Sequence, residues 1–214
     1  MSTPIRMTRR VPTEIGLREQ NKLEKSERIR RAARELISKY GFDQATLRQI
    51  AKRAHVGLGT LFNYAQDKRD LAFLICNQDL AEVPDLALKA QRPNQPLIEQ
   101  VVEIYRPHYE YFGKDPAISR TILKELIFYS EGKQAEAFLR TRWRLISAIE
   151  TMVRRAQKDG KVEPTQDALT ITHLIFLVAS GSIRWWIAGP FPEPNAGLGE
   201  LRRLLELQFR GFVP

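Results

Sequence analysis

Between residues 46 and 68 the chain gathers side chains suited to a nucleic acid. They are Thr46, Arg48, Leu58, Gly59, Thr60, Asn63, Tyr64 and Lys68. Arginine and asparagine can meet a base edge with two parallel hydrogen bonds, and threonine can hydrogen-bond a base or touch a thymine methyl. Threonine, tyrosine and lysine also suit phosphate oxygens. An ordinary solvated face would use the same residue types, so the elements that position them decide between the readings. Other chemistry is poorly supplied. There is no Gly-x-Ser-x-Gly, Walker loop, His-Glu-x-x-His or dinucleotide fingerprint. Gly57-Leu58-Gly59 lacks a third glycine and a preceding strand. The single cysteine, Cys76, can form no internal disulfide, which favours a reducing compartment. One cysteine and three histidines leave little for a Cys/His zinc site. No catalytic residue, metal or cofactor is expected.

The elements around this stretch are helical. Ile29, Ala33, Leu36, Ile37 and Tyr40 fall on one helical face, and Gly41 follows as a stop. The first helix is expected over 26–40. Thr46-Leu47-Arg48-Gln49 fits a capping box, so a second helix runs over 46–54, broken at His55-Val56-Gly57. A third runs over 58–64, and Asp67 caps a fourth that turns Leu71, Leu74 and Ile75 inward. The second and third helices have helix-turn-helix spacing. In such a unit the later helix enters the major groove. Phe42, Leu47, Ile50, Ala51, Ala54, Val56 and Leu61 would then face inward. Arg48, Leu58, Thr60, Asn63 and Tyr64 would face outward.

The stretch from Ala45 to Ala51, then Ala54 to Tyr64, then Asp67-Lys68 and Leu71, resembles the DNA-binding domain of TetR-type transcriptional regulators. The similarity covers Ile29 to Leu80; beyond it only the organisation is alike. The resemblance implies base reading by Arg48, Leu58, Thr60 and Asn63, and phosphate contact by Thr46, Tyr64 and Lys68. It also implies a variable helical ligand-binding domain and a homodimer made through the last two long helices, here 165–188 and 197–212. This chain departs from the pattern. His55 stands where glycine is usual, at a position that needs φ > 0. Phe62 replaces a frequent tyrosine, Gly57 a frequent serine at the helix start, and Ala65 a frequent phenylalanine.

The remaining sequence continues as helices without any period-2 strand pattern. Helices are expected after Pro96, from Pro116, over Phe138–Gln157, and over 165–188 and 197–212, roughly nine in all. Tyr105, His108, Tyr109, Phe112, Trp143, His173 and Phe176 are candidates for a small-molecule pocket, since such sites are apolar with a few polar groups. Plain helix packing explains each equally well. Leu201, Leu204, Leu205, Gln208 and Phe212 form a stripe that fits core or a dimer seam.

Charge divides the same way. The chain of 214 residues carries a net charge of +9. Residues 1–70 hold 16 basic and 8 acidic residues, whereas 71–214 hold 18 and 17. A basic block beside a near-neutral remainder suits a nucleic-acid module joined to a module with another task. The basic N-terminus is followed by no apolar run, so a secretory signal is not expected. The uncharged run between Asp167 and Arg184 is shorter than the about 20 residues that span a bilayer. It reads as a helix buried on most sides or at a subunit interface.

The expectation is an all-α chain in three parts: a flexible basic arm (1–22), a helix-turn-helix DNA-binding domain (23–66), and a helical ligand-binding and dimerisation domain (67–214). Its expected partners are a double-stranded DNA operator, a small-molecule effector and a second copy of itself, in the cytoplasm and without a membrane. The expected function is transcriptional regulation, as a repressor that leaves a palindromic operator when the effector binds. The alternatives are a small helical enzyme or carrier with an incidental basic head, and an architectural DNA-binding protein that takes no ligand.

Overall fold

A computed structural model describes residues 16–89, 92 and 94–210. Among them are ten α-helices and one 3-10 turn, with no strand. The first helix, α1, spans Leu17–Tyr40. Ile29, Ala32, Ala33 and Ile37 are its buried face. It stops at Gly41, whose φ of 82° suits a residue without a Cβ and whose N–H donates to the Ile37 carbonyl. Helix α1 thus begins inside the segment expected to be a flexible arm: Leu17 to Lys22 are helical. Leu17 is 75% exposed, so no apolar periodicity marked that first turn. The arm residues Arg6, Arg9 and Arg10 lie outside the described residues.

Helix α2, Leu47–Arg53, opens with the capping box: Thr46 Oγ1 accepts the Gln49 N–H, and Gln49 Oε1 accepts the Thr46 N–H at 2.9 Å. His55 takes φ 53°, the left-handed turn that the resemblance implied. Helix α3, Leu58–Phe62, starts at Gly57 with no side-chain cap. Five residues cannot hold a helix alone. Leu61 and Ala65, both 0% exposed, pin it to the core instead. It ends two residues earlier than expected.

Helix α4, Lys68–Leu80, is capped by Asp67 and buries every residue from Asp70 to Asn77. It packs on α1 on one side. Beyond it come α5 (Val83–Lys89), α6 (Leu97–Lys114), α7 (Pro116–Glu125), a 3-10 turn (Leu126–Phe128), α8 (Ala135–Lys158), α9 (Ala168–Ala188) and α10 (Pro194–Phe209). The short α5 was not anticipated. Helix α4 reaches α8 and α7 on its other side, so one core runs through the head and the larger helical part.

The last two helices each carry a buried face and an open one. On α10, Leu201 and Leu205 are 0% exposed and pack inward with Leu198 and Phe209, against α6 and α9. Those two stripe positions are therefore core within one chain, whereas Leu204 and Gln208 are half-buried; Phe212 lies outside the described residues. Helix α9 passes for a membrane span by length and composition. It packs against α8, α10 and α7 along one face, with Ile171, Ile175, Ala179, Ile183 and Ile187 buried. Its other face is open in the single chain: Leu169, Leu174, Leu177 and Trp185 are exposed, the last by 83%.

Candidate nucleic-acid interface and effector cavity

The eight candidate DNA-binding residues fall into two groups. Arg48, Gly59 and Asn63 are exposed, and Thr60 is half-buried beside them. Arg48 forms no ion pair among the described residues, whereas its neighbour Arg53 is held by Glu35 at 2.8 Å. The others are tied to the head. Thr46 Oγ1 also donates to Gln49 Oε1 at 2.8 Å, so the hydroxyl serves the helix cap. Leu58 packs against the core. Tyr64 donates its hydroxyl to the Lys22 carbonyl at 3.2 Å, which joins the end of the third helix to the start of α1. Burial raises its pKa. Lys68 donates to the Asp43 carbonyl at 3.0 Å and lies over the Phe42 ring. The inward set is as expected, with Ile50, Ala51, Ala54 and Leu61 buried.

A second contact to the third helix was not legible in the sequence. It comes from the segment between the 3-10 turn and α8, residues 129–134. Lys133 donates its ammonium to the Phe62 carbonyl. Gln134 donates its amide to the Tyr64 carbonyl at 2.9 Å. The Phe62 carbonyl ends α3 and that of Tyr64 lies two residues beyond, where helical partners run out. The same segment is anchored on Asp70, which is 1% exposed. The Asp70 carboxylate accepts the backbone N–H groups of Gln66 (2.8 Å), Lys133 (3.0 Å) and Gln134 (2.8 Å), together with the Tyr129 hydroxyl. Burial and the Asp70 carboxylate both push the Tyr129 phenol upward. Gly132 has φ 135°, and a Cβ there would lie 2.7 Å from Asp70 Oδ1. Spacing gives no hint of this hub, because residues 70 and 133 meet only when α8 docks on α4.

The hub continues into a cavity of about 110 Å³ between α4, α6, α7, α8 and α9. Phe73 stacks on Tyr129, and Phe138, one turn into α8, meets Phe73 edge-on and lines the cavity. Of the seven pocket candidates, Tyr105, His108, Phe112 and Phe176 line it. Three do not. Tyr109 is core: its hydroxyl meets Ser182 Oγ at 2.8 Å and its ring packs on Trp186. Trp143 points outward from α8, 56% exposed. His173 lies on the open face of α9. Helical phase decided these placements, and aromatic type carried no information about it. Arg142 and Arg184, which composition did not single out, also line the cavity. Cys76 is another wall residue; burial pushes its thiol up to about 12, so it is unreactive at neutral pH.

His108 supplies a pH prediction. Burial pushes its imidazole down from 6.5 to about 4, partly opposed by the Ile104 backbone. The unfolded chain therefore takes up this proton near pH 6.5, while the folded chain resists until about pH 4. Stability from the neutral imidazole is present above pH 6.5 and is lost as pH falls towards 4. Thermal melts across that window should fall more steeply for wild type than for His108→Leu. Parallel curves would show that His108 is not the group responsible.

Comparison with known proteins agrees with this arrangement. The family model for bacterial regulatory proteins of the tetR family matches residues 29–75, which span α1 to α4 from Ile29 onward. The HTH-type transcriptional regulator YhgD of Bacillus subtilis is 25% identical over 84% of this chain and 94% of its own length. The HTH-type transcriptional repressor KstR of Mycolicibacterium smegmatis is 25% identical over 82% of this chain and 81% of its own. Among solved structures, Thermus thermophilus FadR, a TetR family transcriptional repressor in complex with lauroyl-CoA, superposes with a TM-score of 0.63 at 23% identity. It covers 84% of this chain and 92% of FadR. The chain is thus similar to these regulators along most of its length and shares their helical fold, and its residues 29–75 match the tetR family of bacterial regulatory proteins.

Proposed function

We propose that the protein is a homodimeric repressor that binds a palindromic operator and leaves it when a small molecule fills the cavity. The observation that carries this reading is the shared hub. The wall residue Phe138 packs on Phe73 and Tyr129, and Tyr129, Lys133 and Gln134 tie Asp70 to the last carbonyls of α3. An occupant that shifts Phe138 biases the end of the recognition helix. That is a population shift between two head positions, and it needs no chemistry. The FadR complex with lauroyl-CoA supports a small-molecule effector for this architecture. The head comprises the helices up to residue 66, with the effector and dimer domain from 67 onward. The open faces of α9 and α10, with Leu169, Leu174, Leu177 and Leu207, pair with a second copy. Two heads then lie about one DNA turn apart, roughly 34 Å.

Within the head, Arg48 and Asn63 read bases, and Gly59 and Thr60 lie against the groove. Thr46, Leu58, Tyr64 and Lys68 hold the surface and meet the backbone. A gel shift on the DNA beside its own gene, repeated over a salt series, tests the reading. Specific binding that weakens steeply with salt supports it. Absence of any specific site would leave a helical enzyme or carrier. Specific binding that no small molecule reverses would leave an architectural protein. Arg48→Ala should relax preference at particular base pairs by about 1–3 kcal/mol, read by competition with operator variants. Lys68→Ala should weaken all sites alike and lower the salt slope. If Arg48→Ala leaves preference intact, another side chain reads those bases.

A further inference from the structure

We propose that the cavity takes an apolar chain bearing an anionic head, and that Arg142 and Arg184 together hold that head. This rests on the ligand-responsive reading above and names the chemistry of the ligand. The other arginines near the start of α8 are balanced: Arg140 pairs with Glu136, and Arg144 with Asp85. Arg142 and Arg184 have no carboxylate partner among the described residues, although both line the cavity. The Arg142 guanidinium lies over the Phe138 ring, 4.6 Å from its centroid. Arg184 donates Nη1 to the Ser180 carbonyl at 2.9 Å, and its Nε is buried without a hydrogen-bond partner among the described residues. Burial lowers the pKa of both groups, and the Arg184 charge lowers that of Arg142 further. Two partly desolvated cations on one wall are unfavourable unless something negative joins them. A carboxylate or phosphate gives the guanidinium forks a partner of matching geometry.

The rest of the wall selects the tail. Leu80, Phe112, Leu126, Leu145, Phe176 and Ile183 present hydrocarbon. A sugar or nucleobase would bury polar groups against them without partners. The Tyr105 hydroxyl, on a residue 2% exposed, has no hydrogen-bond partner among the described residues and offers one polar point inside the apolar part. A free fatty acid and an acyl-CoA thioester share this chemistry of chain and anion. Phe138 links the site to the hub: it lies under Arg142 and meets Phe73 edge-on, so an anion that draws Arg142 acts on the same ring.

The test is calorimetric titration of the full chain with dodecanoate, lauroyl-CoA and dodecanol, for wild type, Arg142→Gln, Arg184→Gln and the exposed control Arg140→Gln. At least one anionic ligand should bind wild type and Arg140→Gln roughly tenfold or more tightly than dodecanol, as a charge-assisted contact requires. The glutamine variants should lose that margin and keep their dodecanol affinity. Whichever anion binds more tightly identifies the source. Equal affinity of all three ligands for wild type would overturn the proposal, and that arm needs no variant to fold. A margin that survives in both glutamine variants would also overturn it. Operator retention is measured separately. Anion binding that leaves the DNA complex intact would sink the ligand-release reading and keep this one. Release by a ligand with no anion preference would do the reverse.

Discussion

Asp70→Ala is expected to lower the unfolding free energy by about 3–5 kcal/mol in urea titrations, the range for breaking a buried charged network. The carboxylate accepts the Lys133 and Gln134 backbone N–H groups and the Tyr129 hydroxyl. Alanine leaves those donors facing one another in a buried space, and each unmet group costs about 1–3 kcal/mol. Asp70→Asn keeps the volume but turns two hydrogens towards existing donors, so its loss should be intermediate. Both variants should weaken operator binding beyond what stability explains, because Lys133 and Gln134 no longer hold the Phe62 and Tyr64 carbonyls. Gly132→Ala should act in the same direction, since its Cβ would collide with Asp70 and its φ is unfavourable for alanine. An Asp70→Ala protein within about 1 kcal/mol of wild type would show that the hub is not a structural anchor.

The second large effect separates core from seam. Leu205→Arg should abolish folding, because residue 205 is 0% exposed among Leu198, Leu201 and Phe209 and offers a guanidinium no partner. Leu177→Arg should leave each chain folded and break the dimer. Leu177 is 64% exposed on the open face of α9 and has little packing in its own chain to lose. Sedimentation velocity should show monomers with an unchanged far-ultraviolet helix signal, and operator binding should drop with the loss of the second head. A dimer that survives Leu177→Arg would place the seam elsewhere. A folded Leu205→Arg with a normal melting temperature would contradict the packing of α10.

The local elements were legible because their causes are local. Thr46 and Gln49 lie three residues apart and close a capping box whatever surrounds them. Asp67 caps α4, Gly41 ends α1 and His55 takes the turn for equally short-range reasons. The site was legible in part. Arg48 and Asn63 were placed outward by helical phase within a short, well-marked unit. Phase failed where helices are long and amphipathic on more than one face. Trp143 and His173 share residue type with cavity residues, yet sit on the outside of α8 and α9. The Leu201–Leu205 stripe reads alike for core and for a seam, and only the packing of α6 and α9 around it decides. Helix α5 and the first turn of α1 carry too little apolar pattern to announce themselves.

By itself the sequence determined that the chain is helical, that its basic excess belongs to a helix-turn-helix unit, and that no constellation for catalysis is present among familiar motifs. These follow from composition and from spacings of a few residues. Tertiary structure alone decided which four aromatic and polar candidates face the cavity, that Arg142 and Arg184 join them, and that residues 129–134, anchored on Asp70, reach the end of α3. The ties to residues 129–134 span 57 to 71 residues, from Asn77 with Gln134 to Phe62 with Lys133, and the cavity joins helices farther apart still. No periodicity encodes such contacts, because they arise from how whole helices dock rather than from any neighbouring pair.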